Sequence, residues 1–417
     1  MATTVNAPVL TRDKLLRARQ ASASLALFSG AQKNAVLLAM ADAIDANVQK
    51  ILDANRADLE SSGLAGSMRD RLLLNPDRIA AIARGVRNVV ALADPVNELL
   101  AEWTRPNGLH IRKVRVPLGV IGIIYESRPN VTVDTVALAV KSGNAIVLRG
   151  GKEAARSNEC LVEILSRVPG LPEGSIELLD SSTRESVQEL IQARGLVDVI
   201  IPRGGPQLIS FVAENSRVPV IETGAGNCHI FVDESADLDM ADAIVINAKT
   251  QRPSVCNAAE KLLVHEKIAA AYVPRIVSKL LAAGVEVHGD SRACELARGL
   301  NVARATAEEW DEEYLRLCIA IGVVSGIDDG IEHINRHSTK HSESIITRSE
   351  SNAQDFLKRI DSAAVYWNAS TRFSDGGEFG FGAEMGISTQ KLHCRGPFAL
   401  AELTSVKFQI VGTGQVR

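Results

Sequence analysis

Cys256 is the residue of this sequence with the clearest chemical potential. It follows Pro253 in the small-residue string P-S-V-C-N-A, between a helical pattern at 238–249 and an apolar run at 262–265. A cysteine thiolate attacks acyl carbons readily, and a carboxylate held nearby can manage the protons. Upstream, Glu222 opens the glycine loop E-T-G-A-G-N. Free cysteines are more often small buried apolar residues than catalysts. The assignment of Cys256 as a nucleophile therefore depends on the glycine loop upstream that carries Glu222.

Two glycine-rich basic turns indicate a second kind of site. One follows the apolar run 145–148 and the other follows the run 197–201, and neither has the G-x-G-x-x-G spacing. Open α/β sheets bind ligands at the carboxyl ends of their strands, where consecutive backbone amides can hold phosphate groups. Each turn alone is better explained as a strand-to-helix turn that needs the backbone freedom of glycine, but the pair favours a nucleotide or phosphate site. The residues concerned are Arg149, Gly150, Gly151, Lys152, Arg203, Gly204 and Gly205.

A third candidate is the string Y-E-S-R-P-N-V-T at 125–132, which ends another predicted strand. Asn130 offers an amide donor for a developing oxyanion, and Arg128 offers a guanidinium for a carboxylate or phosphate. A helix N-cap or a turn before proline explains the same string equally well.

Near the end of the chain, residues 373–384 contain too many glycines for a packed element, and a long ordered loop of this kind is usually functional.

The elements that must position these residues are predicted from hydrophobic periodicity. The first hundred residues repeat apolar positions at helical spacing, and from Gly119 short branched apolar runs alternate with amphipathic segments. Such runs are typical of parallel sheets that are covered on both faces. The first series is 120–124, 145–148, 176–179, 197–201, 218–221 and 230–232, and the second is 262–264, 285–287, 319–324, 344–347 and 363–367. The sequence therefore predicts two doubly wound α/β domains, with Cys256 between the two series.

Two further segments lie outside both series and alternate apolar with polar residues. They are 109–117 and 406–410, and such alternation is typical of half-buried strands. We expect them to form strands that pair with each other, either within one chain or across two subunits. We also expect these strands to make subunit contacts, so the protein should be at least a dimer.

Composition and charge disfavour several classes of protein. The net charge of −4 over 417 residues gives no general attraction to nucleic acid or to an anionic membrane, and no run is long enough to span a bilayer. The start lacks a secretory pattern, so a cytoplasmic location is expected. Six scattered cysteines predict reduced thiols without a disulfide framework or a zinc ribbon. The histidines at 333, 337 and 341 have helical spacing, but no carboxylate completes a site, and no metal is predicted.

The long motifs together resemble the aldehyde dehydrogenase superfamily, and more closely its gamma-glutamyl phosphate reductase family of proline biosynthesis. The similarity runs over nearly the whole chain. Its strings are V-P-L-G-V-I-G-I-I-Y-E-S-R-P-N-V-T-V-D, E-T-G-A-G-N-C-H, Q-R-P-S-V-C-N-A-A-E, S-A-A-V-Y-W-N-A-S-T-R-F-S-D-G-G-E-F-G and G-I-S-T-Q-K-L-H-C-R-G-P. The resemblance implies an aldehyde-dehydrogenase-like α/β fold of two doubly wound domains plus a strand arm for oligomerisation.

This resemblance divides the sequence into regions. They are a cofactor-binding domain at 1–104 and 119–237, a catalytic domain at 238–367, a glycine-rich active-site segment at 368–399, and the oligomerisation arm at 105–118 and 400–417. The implied reaction is the NADP(H)-dependent reduction of L-glutamyl 5-phosphate to L-glutamate 5-semialdehyde, with release of phosphate. The implied roles are nucleophile for Cys256, oxyanion donor for Asn130, general base for Glu222 and ribose-holding acid for Glu313.

The remaining basic residues are assigned to ligands. The candidates for the carboxylate and phosphate of the substrate are Arg128, Arg203, Lys391 and Arg395. Arg149 and Lys152 stand where NAD-preferring relatives commonly carry an acid, which favours the ribose 2′-phosphate of NADP. The expected partners are L-glutamyl 5-phosphate, phosphate, further copies of the chain in a homodimer or larger homo-oligomer, and the upstream glutamate kinase.

Two other functions remain open on the sequence. A hydrolytic aldehyde dehydrogenase would keep Cys256 and Glu222 but would oxidise aldehydes without phosphate. A cysteine hydrolase or acyltransferase would need a histidine beside Cys256 and no nucleotide, and the candidates for that histidine are His229 and His265.

Overall fold

The computed structural model describes residues 10–417. Over these residues the α-helices are α1 Thr11–Leu25, α2 Gly30–Ala46, α3 Val48–Ser61, α4 Gly66–Leu72, α5 Pro76–Ala91, α6 Pro129–Lys141, α7 Ala155–Ser166, α8 Glu185–Ile191, α9 Pro206–Asn215, α10 Leu238–Thr250, α11 Glu266–Ala282, α12 Ser291–Leu296, α13 Ile327–His337 and α14 Glu350–Arg359. The strands are β1 Leu99–Thr104, β2 His110–Pro117, β3 Val120–Tyr125, β4 Ala145–Arg149, β5 Ile176–Leu178, β6 Val199–Arg203, β7 Cys228–Val232, β8 Ala259–His265, β9 Glu286–Gly289, β10 Val302–Arg304, β11 Cys318–Val324, β12 Ser342–Ile346, β13 Ala364–Trp367, β14 Gly386–Ser388, β15 Gly396–Phe398 and β16 Thr404–Val411. Short 3₁₀ helices lie at Lys152–Ala154, Glu308–Trp310 and Thr371–Phe373.

The chain divides into two compact units. The first consists of the described residues up to Thr223 together with Gly380–Gly386 and Phe398–Arg417. The second consists of Gly224–Phe379 together with Ile387–Pro397. Between residues 10 and 417, no helix is both long enough and apolar enough to cross a membrane.

The first unit contains a four-stranded parallel sheet in the order β5-β4-β3-β6. Every residue of β3 is buried, which is why that run is continuously apolar in sequence instead of alternating. Helix α1 contributes Leu15 and Leu25 to the core that holds Val120 and Val147 of the sheet. The buried sheet fixes the positions of the turns that follow its strands.

One predicted strand of the first series is wrong. Residues 218–221 form an isolated bridge between Ile200 and Val220 in place of a full strand. Pro219 has no N–H to donate to a ladder, and its carbonyl oxygen accepts the N–H of Ile200 at 2.8 Å. The segment therefore lies beside the edge strand β6 but makes few ladder hydrogen bonds to it.

The second unit contains a seven-stranded parallel sheet in the order β10-β9-β11-β8-β7-β12-β13. All residues of β8 are buried, and its Leu262 shares a core with Ile230 of β7 and Ile321 of β11. The prediction that 230–232 belongs to the first sheet is wrong, because β7 pairs with β8 on one side and with β12 on the other. An apolar run shows that a strand is buried, but it does not show which sheet the strand joins.

The arm of the first unit is a three-stranded antiparallel sheet in the order β1-β2-β16. The predicted pairing of the two alternating segments is confirmed, since β16 pairs with β2 along its whole length from Thr404 to Val411. Trp103, Phe408 and Ile410 remain exposed on this sheet, and the rings of Trp103 and Phe408 lie 6.2 Å apart between centroids. The arm therefore carries an uncovered apolar face in the single chain.

Candidate active site

Cys256 lies in the loop between α10 and β8, and its side chain is partly exposed. Hydrogen bonds hold the backbone of this loop. The N–H of Ala258 donates to the Val255 oxygen at 3.1 Å, and the Cys228 thiol donates to the Cys256 oxygen at 3.2 Å. The predicted nucleophile is therefore on an ordered loop that solvent can reach.

Gly226 packs directly on the Cys256 backbone. A Cβ at Gly226 would lie 1.4 Å from the Cys256 carbonyl oxygen, so no other residue fits without displacing that loop. The N–H of Gly226 donates to Glu313 Oε1 at 2.7 Å. The structure thus brings together two predicted site residues of the second unit, the nucleophile Cys256 and the ribose-holding acid Glu313, through one glycine.

Asn227 anchors this glycine loop on its other side. Its amide nitrogen donates to the Trp310 oxygen at 2.7 Å and to the His337 oxygen at 2.8 Å. Thr339 adds a bond from its hydroxyl to the Ala225 oxygen at 2.6 Å. The loop between residues 224 and 227 is therefore fixed by polar contacts before β7 begins.

A chain of polar groups, buried except for the partly buried Tyr366, extends from the Cys256 carbonyl oxygen. Its members, each in polar contact with the next, are Cys228, His341, Ser342, Ser374 and Tyr366. Burial raises the pKa of the Cys228 thiol well above its usual range and lowers the pKa of His341 to about 4. Burial also raises the pKa of Tyr366 to about 12. All three groups are neutral near pH 7, so they contribute hydrogen bonds to this part of the structure and no charge.

The two histidines that a cysteine hydrolase would need have other partners. His229 Nδ1 lies 2.9 Å from the Asn227 oxygen, and burial lowers the pKa of His229 to about 3. His265 ends β8, where its Nδ1 accepts the N–H of Lys267 at 3.1 Å and caps α11. Cys256 precedes the opposite end of β8, so about 20 Å of strand separates it from His265. These positions do not favour the cysteine hydrolase alternative.

Arg372 is a site residue that the sequence did not single out. It lies on a one-turn 3₁₀ helix that is bonded to the Cys256 loop, since Thr371 Oγ1 donates to the Asn257 oxygen at 2.7 Å. In return Asn257 Nδ2 donates to the Ser374 oxygen at 2.9 Å. Arg372 Nε donates to Gln251 Oε1 at 2.9 Å. The polar string S-T-R-F-S-D was the available signal, but it does not reveal which loop it contacts.

Two of the predicted substrate-binding residues meet at Asp361. Lys391 Nζ lies 3.1 Å from Asp361 Oδ2, and Arg395 Nη1 lies 2.9 Å from Oδ1. Lys340 approaches the same carboxylate at 3.4 Å. Hydrogen bonds from Lys391 and Arg395 lower the pKa of Asp361 to about 2. Three cations therefore share one carboxylate in the second unit.

In the first unit, the two predicted glycine turns come to the same edge of the sheet, because β4 and β6 both neighbour β3 in parallel. A Cβ at Gly150 would lie 2.2 Å from Asn158 Nδ2, so glycine is required there. Arg149 donates to the carbonyl oxygens of Thr183 at 2.8 Å and Gly150 at 3.2 Å. Lys152 is exposed. Arg149 therefore fastens the loop after β5, while Lys152 is the cation presented to solvent.

The second turn is packed as closely as the first. A Cβ at Gly204 would lie 2.7 Å from Glu126 Cδ, and Gly205 is the N-cap residue of α9. Arg203 donates to the carbonyl oxygen of Met385. In the first turn, a Cβ at Gly151 would lie 2.9 Å from Glu153 Oε2. Close backbone approach, a helix start and an exposed lysine are features that fit the phosphates of a dinucleotide.

The predicted oxyanion donor lies at the start of α6. Asn130 Nδ2 donates to Asp134 Oδ2 at 3.2 Å, which orients the amide and leaves its second N–H for a ligand. Burial raises the pKa of Asp134 to about 6. Arg128 is the N-cap residue of α6.

The predicted general base, Glu222, is partly buried. It directly precedes Thr223, whose hydroxyl donates to the Pro202 carbonyl oxygen of β6 at 2.8 Å.

The histidines at 333, 337 and 341 do not share one helix face, because α13 ends at His337. The rings of His333 and His337 lie 4.6 Å apart between centroids, and burial lowers the pKa of His333 to about 3. Over residues 10–417, the side chains that bring three possible metal ligands together are Glu286, His288 and Cys318. Arg316 forms an ion pair with Glu286, so this carboxylate already has a cationic partner.

The chain is similar to known proteins over nearly its whole length. The aldehyde dehydrogenase family profile matches residues 11–296. A gamma-glutamyl phosphate reductase of Koribacter versatilis is 71% identical over 407 residues, covering 98% of this chain and 100% of that protein. One from Caldanaerobacter subterraneus is 53% identical over 412 residues, covering 97% of this chain and 99% of that protein.

A solved structure extends the similarity to the backbone. The crystal structure of gamma-glutamyl phosphate reductase from Thermotoga maritima matches with a TM-score of 0.95 and 51% sequence identity, covering 98% of this chain and 99% of that chain. The predicted aldehyde-dehydrogenase-like α/β fold is therefore confirmed. The chain belongs to the aldehyde dehydrogenase family of oxidoreductases and, within it, to the gamma-glutamyl phosphate reductases.

Proposed function

We propose that the chain reduces L-glutamyl 5-phosphate to L-glutamate 5-semialdehyde with NADPH and releases phosphate, as a step of proline biosynthesis. The observation that carries this proposal is the link from Cys256 through Gly226 to Glu313. A nucleophile suited to acyl transfer and an acid suited to a cofactor ribose are held by the same glycine. The names of relatives that match over nearly their full length support the substrate.

The proposed reaction begins at the Cys256 sulfur. Its thiolate attacks the acyl carbon, and the sulfur–carbon bond forms as the carbon–oxygen bond to phosphate breaks, with the electron pair leaving on phosphate. When bound, NADPH supplies the hydride that reduces the resulting thioester. The oxyanion then collapses to the aldehyde and returns the Cys256 thiolate, while the leaving phosphate takes up the proton of the overall reaction.

Two polar residues are proposed to assist these steps. Asn130 donates its second amide N–H to the acyl oxygen while that oxygen carries negative charge, and one such donor contributes about 3 kcal/mol of transition-state stabilisation. Glu222 takes the proton of the Cys256 thiol as the thiolate forms. Lys391 and Arg395 are proposed to bind the carboxylate of the substrate beside Asp361.

NADP(H) preference is proposed to rest on Lys152. Arg149 already donates to backbone carbonyls, so the exposed lysine is the cation left for a ribose 2′-phosphate. Lys152→Glu is expected to lower the ratio of kcat/KM for NADP to that for NAD by at least about tenfold, or ~1.4 kcal/mol. The kcat at saturating cofactor should change much less, because this contact is remote from the reacting carbon. Steady-state kinetics with both cofactors measures the ratio.

The control for that variant is Lys358→Glu, which makes the same charge change at an exposed lysine of α14. It should leave the cofactor ratio of the parent unchanged. Equal use of NAD and NADP by the parent, or the same ratio in parent and Lys152→Glu, would refute the assignment of Lys152.

The reaction class is tested in the reverse direction. Glutamate semialdehyde and NADP⁺ should yield NADPH at a steady rate only when inorganic phosphate is supplied, because phosphate is the acceptor of the acyl group. Turnover that is equally fast without phosphate would show a hydrolytic aldehyde dehydrogenase, and the proposal would fail.

We further propose that the exposed face of the arm joins subunits. Phe408 and Ile410 alternate on β16, and Ile410 pairs with Ile111, which in turn pairs with Trp103. These four residues therefore share one face of the sheet, and Phe408 and Ile410 are 52% and 59% exposed. Apolar side chains grouped in this way usually mark an interface.

The double variant Phe408→Glu/Ile410→Glu is expected to raise the dissociation constant of the assembly at least about a hundredfold, or ~2.7 kcal/mol. Light scattering after size exclusion, over a range of concentrations, measures this change. Val416→Glu is the control, since Val416 lies beyond β16 and is 93% exposed. A parent that is monomeric at micromolar concentration, or a double variant that assembles like the parent, would contradict the assignment.

A further inference from the structure

Arg372 and Arg252 bring two positive charges to the loop that carries Cys256. Arg252 belongs to the loop itself, and Arg372 is fastened to it through its bond from Nε to Gln251 Oε1 at 2.9 Å. The backbone beneath Arg372 is also fixed, because Ser370 Oγ donates to Asn247 Oδ1 of α10 at 2.8 Å. Both arginines therefore lie on backbone whose position is set by the nucleophile loop.

The Arg372 guanidinium is partly buried and has charged neighbours of both signs. Partial burial lowers the pKa of Arg372, and the positive charge of Arg252 lowers it further. Asp375 opposes this effect, as does the thiol of Cys256 when it is ionised. A guanidinium that is partly buried beside a like charge is stabilised by an additional anion at the same place.

Other candidate cations have partners of their own. Lys391 and Arg395 share the Asp361 carboxylate, and Arg203 donates to a backbone carbonyl. Arg372 uses Nε for Gln251, and its two Nη atoms form the planar fork that matches two oxygens of a phosphate group. An arginine in this position suits a tetrahedral dianion better than it suits a single carbonyl oxygen.

We propose that Arg372, assisted by Arg252, binds the phosphate group of the acyl phosphate and holds it as Cys256 attacks, an assignment that rests on the proposed function. The leaving phosphate is attached to the same carbon that the Cys256 sulfur attacks. Its binding group must therefore lie beside the nucleophile, whereas the carboxylate of the substrate is at the far end of the glutamyl chain. As the carbon–oxygen bond breaks, the oxygen that keeps the electron pair gains charge, and the guanidinium stabilises that charge.

The test uses the reverse reaction of the full chain, in which NADPH formation precedes attack by phosphate. Without phosphate, glutamate semialdehyde and NADP⁺ should give a single NADPH burst as Cys256 becomes acylated. Arg372→Ala is expected to keep the amplitude of this burst but to raise the KM for inorganic phosphate at least about tenfold. Arg372→Lys should raise that KM less, because lysine keeps the charge and loses the fork.

Arg348→Ala is the matched control, since Arg348 is exposed and pairs with Asp237. It should leave the KM for phosphate unchanged. A phosphate KM within twofold of the parent in both Arg372 variants would overturn the proposal, as would an increase of the same size in Arg348→Ala. A parent that needs no phosphate at all would overturn the proposed function itself, so the two failures are distinguishable. The burst amplitude also shows that each variant is folded.

Discussion

Cys256→Ala is expected to lower kcat at least about a thousandfold while leaving the fold and NADP binding intact. The thiol of Cys228 cannot take over, because it donates to the Cys256 carbonyl oxygen and burial holds its pKa well above the usual range. NADP⁺ reduction with glutamate semialdehyde and phosphate measures the loss. Circular dichroism and a cofactor titration verify that the variant is folded.

Cys294→Ala is the control for this experiment. Cys294 is a partly buried cysteine of α12, and its thiol donates to the Gly289 carbonyl oxygen at 3.4 Å, within the second unit. Its removal should leave kcat within about twofold of the parent. Activity of Cys256→Ala within tenfold of the parent would show that catalysis does not pass through a thioester at this residue.

Gly226→Ala is expected to lower kcat/KM at least about a hundredfold. The new Cβ would lie 1.4 Å from the Cys256 carbonyl oxygen, so either the glycine loop or the nucleophile loop must move. A displacement of about 1 Å at a reacting group costs on the order of a hundredfold in rate. The same shift disturbs the bond from Gly226 N–H to Glu313, so NADP binding should weaken as well. Steady-state kinetics and a cofactor titration measure both effects.

Gly326→Ala provides a matched control in the same unit. Gly326 has an extended backbone at φ 176°, and the nearest atom to an added Cβ is His265 Nε2 at 3.9 Å. This variant should behave like the parent. A folded Gly226→Ala enzyme with kcat/KM within threefold of the parent would mean that contact between the two loops does not set the position of Cys256.

The strands and the arm could be predicted because their signals are local. Continuous branched runs such as β3 and β8 are buried on both faces, whereas β16 alternates apolar with polar residues and is largely exposed in the single chain. Sheet membership is not local, which explains the wrong assignment of β7. The strand predicted at 218–221 failed because Pro219 removes a ladder donor, a conflict that was already present in the sequence.

The residues of the candidate site likewise differ in whether their signals in the sequence are local. Cys256 and the glycine loop were found from residue type and spacing, whereas the role of Arg149 depends on a loop that folds back to offer its carbonyls. Arg372 was missed because its importance comes from Gln251 and Asn257, which are distant from it in sequence. Side chains that act through partners from other segments become visible only when the fold brings those segments together.

The most direct test of the account is a rapid-mixing measurement of NADPH formation from glutamate semialdehyde and NADP⁺ without phosphate. If Cys256 forms a thioester that needs phosphate as its acceptor, NADPH should appear in one fast burst of about one equivalent per subunit and then stop. Adding inorganic phosphate should restart steady turnover at once. Continuous NADPH formation without phosphate, or the absence of any burst before phosphate is added, would contradict a phosphate-dependent reductase that acts through Cys256.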